Sequence, residues 1–172
     1  MNRQLPQCFR HICVEGVIGV GKTSLCCLLA EKFGGRAILE KVDENPFLQK
    51  FYRNKRANAF QTQLWFLLSR YRQLSDELMQ QDLFHTFTVA DYMFAKDRIF
   101  ACINLDENEL ALYDNVAKIL ERSLPKPDLV IYLQASVETL LKRIDIRGRP
   151  FENGMDKEYL ETLTSSYNHL MF

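Results

Sequence analysis

The chain has 172 residues, 47% of them hydrophobic, the size of one domain with enough apolar material for a single core. Lys+Arg and Asp+Glu both number 22, so the formal net charge is zero, a balance that excludes a broad basic face for a nucleic-acid backbone. No apolar run approaches the roughly 20 residues that span a bilayer, and no secretory core precedes residue 12. Neither nucleic acid nor membrane is therefore expected as a partner. The first ten residues carry two arginines but are too short for a targeting segment. The five cysteines, Cys8, Cys13, Cys26, Cys27 and Cys102, show no C-x-x-C spacing, which predicts plain reduced thiols and a cytoplasmic protein.

In chain order, FRHICVEG (9–16) ends in an apolar run that meets glycines, as a buried strand meets a loop. GKTSLCCLLAEKFGG (21–35) reads as a helix closed by Gly34 and Gly35. RAILEKV (36–42) is a second short strand, and Asn45-Pro46 marks a boundary because the residue before proline avoids helical dihedrals. Residues 47–81 are helix-rich, with Phe60, Leu64, Leu67 and Leu68 at helical spacing. FHTFTVADY (84–92) reads as a third strand ending at Asp91. Helices are predicted over 94–103 and 107–120, a fourth strand over 129–133, a helix over 137–146, and another from Lys157.

Apolar strands alternating with helices predict an α/β fold, a parallel sheet with helices on both faces. Without repeats or a low-complexity linker, 1–172 reads as one domain. Nucleotide-binding sheets of this kind usually carry a fifth strand, whereas four are visible and the chain ends within a helical stretch. A sequence truncated at its C-terminus is the expectation.

The most specific motif is GVIGVGKT, Gly16 to Thr23, which meets G-x-x-x-x-G-K-[ST] between a strand and a helix. Gly16, Gly19 and Gly21 let the backbone turn with no Cβ facing the phosphates, and N–H groups at the helix start hold the anion. Lys22 is expected to reach the outer phosphates, Thr23 to ligand Mg2+, and Ser24 to be a further nucleotide-binding position. No N-K-x-D segment for reading guanine occurs, which disfavours a GTPase.

RIDIRGRPFE places Arg143, Arg147 and Arg149 within seven residues. Such a cluster needs a polyanion, and the triphosphate of ATP is the natural one, with these arginines as a lid. The bland alternative is a solvated turn paired with Asp145 and Glu152. Glu40 ends the second strand on the sheet edge that carries the phosphate loop. There it is expected to accept a hydroxyl proton and help hold Mg2+, with Asp43 and Glu44 as nearby competitors. Asp91 is read as a second metal-associated acid. Gln63 and Arg70, seven apart on one helix, with Phe60 three residues before Gln63, suit an aromatic base.

With those residues in view, the chain resembles the deoxynucleoside kinase family of deoxycytidine, deoxyguanosine and deoxyadenosine kinases. The likeness covers nearly the whole chain, through EGVIGVGKTS, LEKVDENPFLQKFY, AFQTQLWFLLSRYRQL, VADYMFAKDRIFA, PDLVIYLQAS and RIDIRGRPFE with EYLETL. The resemblance implies a phosphate-loop sheet of order 2-3-1-4 and ATP- and Mg2+-dependent phosphorylation of a deoxynucleoside 5′-hydroxyl, commonly by a homodimer joined through helices in 60–78 or 94–120. Glu40 resembles the general base, Tyr52 and Glu152 the pair on the sugar 3′-hydroxyl, and Gln63 the base-reading amide with Phe60 against the ring. Gln61 is the fallback if the helix register shifts. Arg70 resembles a pocket residue near the base edge. Many members carry Glu/Asp-Arg-Ser after the third strand, where this chain has Ala90-Asp91-Tyr92, the form of bacterial purine deoxynucleoside kinases. Positive charge must then come from the lid, Lys22 or Lys96. The acid beside the base pocket falls near Lys96 and Asp97, so base preference stays open, with a purine favoured. The alternatives are a deoxycytidine-preferring kinase and a catalytically silent nucleotide-binding relative.

Overall fold

The computed structural model describes residues 9–79, 84–152 and 155–172. Its centre is the strand His11–Gly16 (β1), buried along its whole length. A strand so enclosed must give its backbone groups partners, and β1 has a parallel strand on either side. These are Thr88–Ala90 (β3), in register His11↔Thr88, and Leu129–Leu133 (β4), in register Ile12↔Leu129. Arg36–Ile38 (β2) pairs with the far edge of β3. The order is β2-β3-β1-β4, as the family resemblance implies.

Seven α-helices are found among the described residues: Lys22–Phe33 (α1), Leu48–Arg53 (α2), Lys55–Met79 (α3), Lys96–Asn104 (α4), Glu107–Glu121 (α5), Val137–Arg147 (α6) and Lys157–Met171 (α7). Successive β1 side chains point to opposite faces. Ile12 and Val14 meet Cys26 and Ala30 of α1 on one side, while Cys13 packs with Leu74 of α3 and with Tyr92 on the other. A third cluster joins Leu140 and Ile144 of α6, Leu160, Leu163 and Tyr167 of α7, and Val17 and Val20 of the loop after β1. The phosphate loop is thus seated on the helix that carries Arg143 and Arg147 and leads into Arg149.

Three differences from the predicted elements concern length. RAILEKV forms a strand for three residues only; the chain then leaves the sheet and turns through a 3-10 segment, Val42–Glu44. FHTFTVADY likewise forms a strand only over Thr88–Ala90, ending one residue before Asp91. The helix-rich stretch 47–81 is divided at Asn54, the extended residue that closes α2, and residues 80 and 81 lie outside the described residues. Cys13, Cys26, Cys27 and Cys102 are free thiols, and Cys8 lies outside the described residues. Among the described residues no helix is long and apolar enough to cross a membrane.

In a parallel sheet, loops at the carboxyl ends of the strands share one crevice. The phosphate loop leaves β1 there, Glu40 follows β2 by two residues, and Asp91 follows β3 by one. The fold therefore assembles these groups by topology alone. The α6–α7 cluster makes a stability prediction. Leu163 is 0% exposed, so Leu163→Ala should cost about 2–5 kcal/mol through lost burial and a residual cavity. In urea denaturation this should lower the midpoint without changing the slope.

Candidate active site

At the carboxyl edge lies a cavity of about 290 Å³. The phosphate loop contributes Gly19, Lys22 and Thr23, the strand ends contribute Glu40 and Asp91, and α3 contributes Gln63 and Arg70. Tyr52 from α2 and the lid residues Arg147, Arg149 and Glu152 complete the predicted set that lines it. Gly16, Gly21, Ser24, Phe60 and Arg143 do not line it.

Each of those placements has a cause. The Gly16 N–H donates to the Glu15 carboxylate at 3.0 Å, so it is taken up internally, unlike the expectation that it faces an anion. What Gly16 supplies is close approach: at φ 144°, a Cβ there would lie 2.4 Å from the Leu133 carbonyl oxygen. Gly19, at φ 83°, leaves room for Ile144 of α6, whose side chain a Cβ would meet at 2.9 Å. Ser24 is exposed on the first turn of α1. Arg143 lies outside the cavity and donates to the Val20 carbonyl at 2.8 Å, clamping the phosphate loop from behind.

Lys22 folds back on its own loop, donating to the carbonyls of Gly16 at 2.8 Å and Val17 at 3.2 Å. Burial pulls its pKa down to about 8, the nearby Lys96 charge adds to that, and Glu15, Glu40 and Asp91 oppose it. The ammonium is still charged at pH 7. The Thr23 hydroxyl donates to Asp91 Oδ2, and Asp91 Oδ1 accepts the Glu40 N–H at 2.8 Å. Asp91 thereby ties the first turn of α1 to the end of β2.

Glu40 is the most heavily partnered group of the site. Oε1 accepts from Arg70, with the Nε bond at 2.8 Å, and Oε2 accepts from Lys96 Nζ at 2.7 Å. Burial alone would raise its pKa, but the charges of Arg70 and then Lys96 outweigh that and hold it well below the ordinary 4.5. Arg70 is fixed on its other side by Asp97, which is fully buried and also accepts from the Tyr113 hydroxyl. The competing acids stand elsewhere. Asp43 is exposed and pairs with Arg149 at 3.4 Å, and Glu44 is exposed and pairs with Lys41 at 3.5 Å.

On α3, Gln63 is buried and its Nε2 donates to the Asp97 carbonyl at 3.0 Å, leaving the amide oxygen for the cavity. Gln61 is exposed. The aromatic beside Gln63 is Phe66, which lines the cavity beneath the Arg70 guanidinium at 4.7 Å, whereas Phe60 does not reach it. At 3.6 residues per turn Phe60 and Phe66 lie about 120° apart. The inward face runs through Thr62, Phe66 and Arg70, and Phe60 falls on its flank. At the lid, Arg147 Nε donates to Glu152 at 3.1 Å, Arg149 approaches it at 3.6 Å, and Glu152 is 4% exposed. Tyr52 stacks on Phe151 with centroids 5.8 Å apart.

Comparison with known proteins agrees with this geometry. The family model described as deoxynucleoside kinase matches residues 12–171. The chain belongs to the deoxynucleoside kinase family. It is similar to the deoxyguanosine kinase of Bacillus subtilis strain 168, 44% identical over 159 residues covering 91% of this chain and 75% of the relative. The deoxyadenosine/deoxycytidine kinase of the same organism is 31% identical, covering 92% and 75%. Among solved structures, deoxyadenosine kinase from M. mycoides with products dCMP and a flexible dCDP bound superposes with a TM-score of 0.82 at 28% identity, covering 93% of this chain and 82% of that one. The same enzyme with bound dATP gives 0.81 at 26% identity, covering 94% and 83%. The protein is accordingly a phosphotransferase for nucleosides.

Several groups of this kinase's site do not stand out in its sequence. Glu15 is 0% exposed and bridges the Gly16 N–H and the Met93 N–H, the latter at 2.7 Å. Burial raises its pKa against the pull of Lys96 and Lys22. The available signal was a carboxylate inside an apolar strand, which has to find donors there. Tyr159 and Tyr167 of α7, with Phe100 of α4, form an aromatic wall. Their spacing with Leu160 and Leu163 is that of one helical face, which alone does not separate core from pocket.

The ion cluster also predicts a pH dependence. Removing Arg70 would leave the buried Asp97 and the largely enclosed Glu40 with too little positive charge, so Arg70→Met should cost about 3–5 kcal/mol at pH 7. The depressed pKa of Glu40 means that its share is fully present above 4.5 and is lost as pH falls below that value. Denaturation measured across that range should show the gap between wild type and variant narrowing on acidification.

Proposed function

We propose that this protein transfers the γ-phosphoryl group of ATP to the 5′-hydroxyl of a deoxynucleoside, with deoxyguanosine or deoxyadenosine preferred over deoxycytidine. The observation that carries the reading is one cavity lined by two chemically different sets of groups. Lys22 and Thr23 come from the phosphate loop and Gln63 and Arg70 from α3, and Glu40 is bonded toward both sets, through Asp91 and through its own carboxylate. The 44% identity to a deoxyguanosine kinase supports a purine. The relative named deoxyadenosine/deoxycytidine kinase keeps a cytosine substrate in view.

In this reading Lys22 leaves the Gly16 and Val17 carbonyls for the outer phosphates, and the amides at the start of α1, with Gly19 and Gly21, cradle the anion. Thr23, Asp91 and Glu40 offer a hydroxyl and two carboxylates, hard oxygen donors that fit Mg2+ alongside phosphate oxygens. The metal would neutralise charge on the transferring group. Arg147 and Arg149 exchange Glu152 for phosphate oxygens and exclude water. Glu152 is then released to pair with Tyr52 on the sugar 3′-hydroxyl. Gln63 reads the base edge against Phe66. Glu40, ionised at neutral pH, receives the 5′-hydroxyl proton as the oxygen attacks phosphorus. The working form is taken as a cytoplasmic homodimer, and the exposed Leu112 and Ile119 on one stripe of α5 support a helical face in that role.

The test is ADP formation with each of the four deoxynucleosides, paired with Glu40→Gln. A purine deoxynucleoside should give the highest kcat/KM. The variant should lose about 10²–10⁴-fold in kcat while largely keeping nucleoside affinity. Turnover with none of the four would sink the reading, and wild-type turnover in the variant would remove Glu40 as the base.

A further inference from the structure

Lys96 has no task in the reading above, on which the following rests. It is the first residue of α4, 3% exposed, and it lines the same cavity as Lys22 and Thr23. An ammonium carries three N–H donors, yet among the described residues its hydrogen-bond acceptor is Glu40 Oε2 alone, with the Tyr92 ring 5.8 Å away as its other contact. Donors buried without partners are costly, so the side of Lys96 that faces the cavity is suited to a ligand dense in oxygen acceptors.

Its surroundings say which end of the ligand that is. The contacts Thr23–Asp91–Glu40–Lys96 run without a gap from the phosphate loop, and Lys96 lines the same cavity as Lys22, whose pKa its charge helps to lower. The other cation on Glu40 cannot move in the same way. Arg70 is held by Glu40 on one side and Asp97 on the other, with Phe66 against its face. Each carboxylate oxygen of Glu40 faces a cation in this state, so the departure of one cation opens an oxygen to the nucleoside and makes it a better proton acceptor.

We propose that Lys96 is a catalytic residue that exchanges partners. It holds Glu40 Oε2 while the donor site is empty, and moves to an oxygen of the transferring phosphoryl group when the donor binds. Oε2 is then open to the nucleoside. In the step that follows, the 5′ oxygen bonds to phosphorus, the bond from phosphorus to the bridging oxygen of ADP breaks, and the hydroxyl proton passes to Glu40. Arg70 stays on Oε1 throughout and keeps the carboxylate aimed.

The experiment uses the full chain with Lys96→Met, which keeps length and apolar bulk, and Lys96→Arg, which restores the charge. Lys96→Met should lower kcat by about 10²–10³-fold, with deoxynucleoside affinity near that of wild type, and Lys96→Arg should recover much of that loss. Calorimetry with Mg2+ and either ADP or the non-hydrolysable β,γ-imido analogue of ATP needs no turnover. The preference of wild type for the analogue over ADP should fall roughly tenfold or more in Lys96→Met. Unchanged preference, or wild-type kcat in Lys96→Met, overturns the proposal, as does parallel loss of nucleoside affinity and kcat, the mark of a purely structural lysine. Should the Met variant fail to fold, Lys96→Arg decides: folded protein with kcat near wild type supports the exchange, and folded protein without turnover overturns it. A wild type that forms no ADP with any deoxynucleoside is instead a failure of the substrate reading, and the calorimetric comparison still judges Lys96.

Discussion

The carboxylate of Glu40, its side chain only 12% exposed and shared between Arg70 and Lys96, is the constraint around which the rest of the site is arranged. Taking four charges from water, these three and Asp97, costs several kcal/mol each before any attraction is counted. The arrangement is tolerable only when all the partners are in place. Those partners come from three separate elements: Glu40 from the exit of β2, Arg70 from α3, and Lys96 with Asp97 from α4. An ion cluster of this kind is weak evidence for stability and better evidence for work to be done. A packed apolar core would hold the same helices together more cheaply.

What makes the cluster useful is its attachment to the phosphate loop. Asp91 joins Thr23 to the backbone of Glu40, and Glu15 joins the backbone of Gly16 to that of Met93, just ahead of Lys96. Both ties are made by acids at the carboxyl edge of the sheet, where strand ends are held by their neighbours and have little freedom. Catalytic groups positioned from such an edge need little reorganisation when the reaction begins. On the other side the lid helix is seated on the loop through Gly19 and Ile144. Its arginines therefore begin near the charge they are to meet.

Much of this was legible in the sequence, and the reasons differ by element. The strand at 129–133 and the helices from 96 to 171 declare themselves because apolar periodicity and caps coincide there; Asp106 with Glu109 forms a full capping box at the start of α5. The phosphate loop and the lid arginines are short-range patterns read from spacing, and Glu40 stands out by its place at the end of the second strand. What spacing could not give was rotation and partner. Phe60 and Phe66 are equally distant from Gln63 along the chain, and only the inward face of α3, set by packing against α2 and α4, brings Phe66 to the cavity. Lys96 could be read as a charge in reserve, but its seat on Glu40 joins residues 56 positions apart. Glu15 went unnoticed because its partners are backbone N–H groups, which leave no trace in composition.

The most direct measurement is a crystal structure of the protein with deoxyguanosine, Mg2+ and the β,γ-imido analogue of ATP. The nucleoside 5′ oxygen should lie within hydrogen-bond reach of Glu40, about 2.6–3.2 Å, with the base against Gln63 and Phe66 and the outer phosphates on Lys22. A nucleoside seated elsewhere, or with its 5′ oxygen turned away from Glu40 while the phosphates fill the loop, would contradict it.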